Sequence, residues 1–122
     1  MRGISYLFLG TASIYVVLGM IWGIQMSASG DHMLAPAHAH LNLIGWVGMA
    51  IYGFYYHLVP TAGEKLLAKI HFGVATLGVI ILTPGIALAL DGTTESPAKA
   101  GSVLTLISGL IFAYTVLRNK SK

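Results

Sequence analysis

The 122-residue chain contains no cysteine. That absence removes disulfides, thiolate nucleophiles and thiolate metal sites from its chemistry. Charge is almost as scarce: charged residues make up 9% of the sequence, against roughly 25% in a soluble globular domain. The four acidic residues, Asp31, Glu64, Asp91 and Glu95, fall between the long apolar stretches, so no carboxylate proton path runs through them. What fills the space is apolar: hydrophobic residues are 56% of the chain and mean hydropathy is +0.78. This is the composition of a membrane protein, and its length suggests one domain, residues 1–122. The formal net charge of +3 is small and sits mostly at segment ends, a topology signal rather than a nucleic-acid footprint. The first apolar run is too long for a cleavable signal peptide and lacks a clear small-residue cleavage site.

Four stretches reach the roughly 20 residues that a hydrocarbon core demands. The pattern predicts helices over about 3–27, 36–60, 66–90 and 100–117, a four-transmembrane-helix all-α bundle. Pro36 suits a first helical turn, where its missing N–H costs nothing. "TPG" at 83–85 falls inside the third helix and should kink it or free a carbonyl. Arg2, Lys65, Lys69, Arg118, Lys120 and Lys122 mark the N-terminus, the second connection and the C-terminus, whereas the first and third connections hold Asp31, Asp91, Glu95 and one base, Lys99. The positive-inside rule then makes both termini cytoplasmic. Small residues recur at Gly19, Gly23, Gly45, Gly48, Gly53, Gly73 and Gly78, where backbones can approach closely, either within one unit or between subunits.

Five histidines remain to be explained. His40 and His57 are 17 residues apart on one helix, about 25 Å, and cannot share a metal. "APAHAHLNLIGW", residues 35–46, is the informative stretch. Positions i and i+2 differ by about 200° on a helix, so His38 and His40 point to opposite sides and must serve different neighbours. A helix N-terminus favours neutral imidazole, the form that ligates metal. Asn42, one turn after His38, can orient an imidazole. The plainer reading makes both histidines interfacial groups bonded to water. His57, beside Tyr55 and Tyr56, reads as part of an interfacial aromatic belt, and His71 as a packing or helix-to-helix hydrogen-bonding residue.

"HAHLNLIGWVGMAIYGFYYHLVP" followed by "AKIHFGVATLGVIILTPG" resembles the catalytic subunit of haem-copper oxidases, at the tenth and eleventh of its twelve helices and closest to the C-type enzymes. The likeness covers Pro36 to Leu90; the first and last helices match only in being apolar. It implies that His38 corresponds to the ligand of the high-spin haem and His40 to that of the low-spin haem, while His71 corresponds to a histidine that binds no iron. It also implies that this chain is one of three four-helix arcs, so that a homotrimer would rebuild the ring. Each pocket would then hold one haem b between His38 of one copy and His40 of the next, with Asn42 alongside. The copper histidines of the oxidases, their cross-linked tyrosine and the arginines that hold haem propionates have no counterparts, apart from His32 and Lys99.

The expected function is therefore that of a haem-b membrane protein in a bacterial or archaeal cytoplasmic membrane, its HAH site facing the periplasmic side. It would carry out electron transfer or redox and gas sensing, with quinol or another redox protein as partner, rather than oxygen reduction. The alternative is an outer-face copper-handling protein using His32, Met33, His38 and His40, a borderline-to-soft ligand set. A small assembly partner of a terminal oxidase is the third reading.

Overall fold

The computed structural model describes residues 1–120 and is helical nearly throughout; Lys122, counted above among the basic residues, lies outside them. Helix α1 spans Gly3–Ser29, α2 Ala35–His40, a π-helical run Leu41–Gly48, α3 Met49–Leu58, α4 Pro60–Gly63, α5 Leu66–Leu90 and α6 Ser96–Arg118. Three of these, α1, α5 and α6, are long and apolar enough to cross a membrane. Their outward surfaces carry Ile14, Ile21, Leu77, Leu106 and Leu110, while Phe8, Met49, His71 and Val79 are fully buried. Such an outward apolar surface suits lipid, and the chain is membrane-embedded.

The second apolar stretch differs from the uniform helix its composition predicts. From Ala35 to Leu58 the chain stays helical, but its middle third is wound as a π-helix. Each π turn takes up an extra residue, which rotates α3 relative to α2. Close contacts accompany it: Gly45 lies against Tyr15 and Val79, and Asn42 is wedged against Gly19. The helix stops at Leu58, two residues early, and Pro60 opens α4 instead of closing α3. Pro84 does not break α5, although it offers no amide to the Ile80 carbonyl.

The ends of the elements follow from local chemistry. Gly30 closes α1 at φ 70°, its amide donating to Met26 O, a left-handed conformation that other residues resist. Pro97 sits in the first turn of α6, which therefore starts at Ser96 rather than at residue 100. In the turn between α5 and α6, hydrogen bonds from the Thr93 side chain and amide hold the Asp91 carboxyl below its ordinary range. Five of the seven small residues, Gly19, Gly23, Gly45, Gly53 and Gly78, meet other helices of the same chain; Gly73 faces open space and Gly48 nears only its own helix.

Candidate functional site

The paired histidines diverge as the helical step requires. His38 turns inward to α1, where its Nε2 lies 2.9 Å from Gly19 O and its ring meets Trp22 edge-on at 5.9 Å. Asn42 Nδ2 is 3.2 Å from the same Nε2. Gly23 makes the approach feasible, since a Cβ there would come within 3.3 Å of Nε2. A proton on Nε2 serves the Gly19 carbonyl; without it the Asn42 amide donates to the lone pair. In either tautomer this nitrogen is occupied within the chain.

His40 is the opposite case. Its Nδ1 donates to the Pro36 carbonyl at 2.7 Å, one turn back on α2. The proton is thereby fixed on Nδ1, and Nε2 keeps its lone pair on the exposed side of the helix. A backbone carbonyl bonded to the far nitrogen is the usual support of an imidazole that ligates a metal.

An open groove of about 640 Å³ runs from His40 along the outside of the bundle. Leu43, Val47 and Ile51 form one wall, and Leu82 on α5 with Ser102, Thr105 and Leu106 on α6 form the other. That volume is within the range of about 300–1,000 Å³ usual for small-molecule sites. Gly48 and Gly109 also line it and add no side chain. Thr105 Oγ1 is buried without a hydrogen-bond partner. It faces the α5–α6 seam, where a Cβ at Gly78 would lie 3.1 Å from it, and Thr76 Oγ1 and Asn42 Oδ1 are likewise buried without a partner. Lys99 stands one turn before Ser102 on α6 and pairs with Glu95 at 3.4 Å.

The groove thus sets one imidazole with a free nitrogen beside largely apolar walls. Of the groove-lining residues that the sequence reading did not single out, Tyr52 lies further along the same helical stretch and Ser102 and Thr105 lie on α6. Ser102, Thr105 and Ser108 recur every third residue of α6, but Ser102 is exposed with its hydroxyl donating to Ala98 O, and Ser108 is buried against His71.

The copper set is not brought together. His32 and Met33 lie in the exposed turn before α2, where Met33 N donates to Asp31 Oδ1, and His38 and His40 face apart. Among the described residues no three of His, Asp and Glu converge as a metal site. His57 is exposed at the end of α3, on a cavity of about 560 Å³ that it shares with Arg2 and Glu64.

His71 is wholly buried and fully bonded. Tyr56 donates its hydroxyl to Nδ1 at 2.8 Å, and Nε2 donates to Ser108 Oγ at 3.2 Å. A neutral ring with its proton on Nε2 satisfies all three groups. Phe8, Tyr52 and Phe112 surround it, with ring centroids 5.1, 4.4 and 6.2 Å away. The residue ties α3, α5 and α6 together, and its two bonds leave no nitrogen for a metal. Tyr56→Phe deprives buried Nδ1 of its donor and should cost about 1–3 kcal/mol. Thermal unfolding in detergent checks this; an unchanged midpoint would show that the bond contributes nothing.

No protein-family model, curated protein or solved structure matches the chain.

Proposed function

We propose that this chain is a membrane haem-b protein that carries out electron transfer or gas sensing, with His40 Nε2 as the ligand to iron. The observation that carries the reading is the His40 tautomer, held by Pro36 O with Nε2 left free, on a residue that lines the apolar groove. When bound, the haem supplies a one-electron couple and a site for diatomic ligands. The protein's own part is to orient one imidazole and exclude water with apolar walls.

The proposal extends to four membrane spans, with Ala35–Leu58 as the second, both termini cytoplasmic and the histidine end outside. It also extends to a homotrimer, in which a neighbouring copy would cover the open side of the groove. His38 of that copy can act as a second ligand only by leaving Gly19 and Asn42. The retention of His38 by its own α1 therefore favours a single protein imidazole per iron.

An absorption spectrum of protein purified from haem-replete cells, with iron and copper counted per chain, tests the reading. A Soret band with iron near one per chain is expected. Colourless protein would overturn it, and stoichiometric copper without haem would replace it with the copper-handling alternative. The spin state of the iron then separates one imidazole from two.

A further inference from the structure

At the opposite end of the bundle from His40, the start of α5 and the end of α6 enclose a pocket of about 270 Å³. Lys65 and Arg118 stand at its rim, with Asn119 beside them, and Ala62, Ala68 and Thr115 form its small-residue floor. No acidic side chain lines it. Among the described residues neither cation pairs with a carboxylate; the one ion pair is Lys99–Glu95 at the other end. Two cations from different helices have thus been brought to one cavity with nothing in the chain to neutralise them.

The surroundings are apolar. Leu67 and Tyr114 line the pocket; Leu66 and Leu117, next in sequence to lining residues, are 70% and 75% exposed, and Tyr114, also exposed, has the Arg118 guanidinium 5.9 Å from its ring. Thr115 O, on a lining residue, is taken by the Asn119 side-chain and backbone N–H groups at 2.7 and 3.1 Å. The matching ligand has a compact anion at one end and hydrocarbon at the other.

We infer that this pocket binds the phosphate of an anionic phospholipid, with Lys65 and Arg118 as its charge partners and the acyl chains lying along Leu66, Tyr114 and Leu117. Depth agrees with chemistry, since the cations lie at the ends of membrane-spanning helices, at the level of the headgroups. Basic pockets between helix ends are a recurring way of holding acidic headgroups. A free phosphate offers the same anion but makes no use of the exposed leucines. The inference is independent of the haem reading, because the site lies at the other end of the molecule.

Native mass spectrometry of the detergent-purified protein, titrated with phosphatidylglycerol, phosphatidylcholine and inorganic phosphate, tests it. Wild type should retain phosphatidylglycerol in preference to phosphatidylcholine. Affinity for phosphatidylglycerol should fall about fivefold in Lys65→Ala or Arg118→Ala and about thirtyfold in the double variant. Lys69→Ala, exposed and outside the pocket, should leave it unchanged. A Lys65→Gln/Arg118→Gln pair keeps the aliphatic stems and repeats the test if the alanine variants do not fold. Equal retention of the two lipids by wild type, or full retention of phosphatidylglycerol by the double variant, overturns the inference. So does inorganic phosphate binding as tightly as the lipid, which would make free phosphate the ligand.

Discussion

His40→Ala should abolish haem retention, whereas His38→Ala should leave most of it intact. The two imidazoles are two residues apart and chemically equivalent in the sequence, so this asymmetry comes from the fold. His40 Nε2 is free because Pro36 O holds the proton on Nδ1; His38 Nε2 is engaged with Gly19 O and Asn42. Loss of a metal's supporting partner alone typically lowers affinity about 10- to 100-fold, and loss of the ligand itself should exceed that. His38→Ala instead removes a contact between α1 and α2, which should appear as a lower unfolding temperature with the Soret band retained. Iron per chain and the reduced-minus-oxidised spectrum are the measurements. Equal loss of haem in both variants would mean that His38 leaves Gly19 and ligates, as the oxidase resemblance implies. Retention by His40→Ala would remove the groove as the site.

Hydropathy was sufficient to locate the apolar stretches, because lipid imposes length and composition on any segment that crosses it. The 100° step was sufficient to separate His38 from His40. It could not tell which of them stays open, since that depends on Gly19 and Gly23 admitting α1 to within reach of the His38 ring. In the sequence these glycines are only a GxxxG spacing. The π run was equally hidden. Nothing in "LNLIGWVG" specifies an extra residue per turn; contacts with Tyr15, Val79 and Gly19 accompany it. Its consequence is that a fixed 100° step does not carry past residue 41. The partners of His71 were out of reach for a different reason: Tyr56 is 15 residues away and Ser108 37. The early start of α6 could have been read from "ESPAK", where Ser precedes Pro at a first helical turn.

Gly101→Ala should be among the most destabilising single-methyl changes available to this chain. A Cβ at Gly101 would lie 2.5 Å from Leu82 Cα and 2.6 Å from Leu82 N. One at Gly85 would lie 2.6 Å from Ala98 N and 2.7 Å from Pro97 C. These are backbone atoms, and no rotamer change relieves them, so α5 and α6 must move apart. Overpacking of this kind costs about 1–3 kcal/mol, and contact with main chain places both substitutions at the upper end. Gly73→Ala is the control: it lies on α5 with nothing within 4 Å, and should be neutral or slightly stabilising. Gly85 and Gly101 share one seam, so the double variant should cost less than the sum, because one separation relieves both clashes. Thermal unfolding followed by circular dichroism in detergent measures all four variants, and wild-type stability in Gly101→Ala would disprove the close approach. The seam also carries the site. Leu82 on one side of the seam and Ser102 and Thr105 on the other together form one wall of the groove, so a chain pried open here should hold haem less tightly even with His40 untouched.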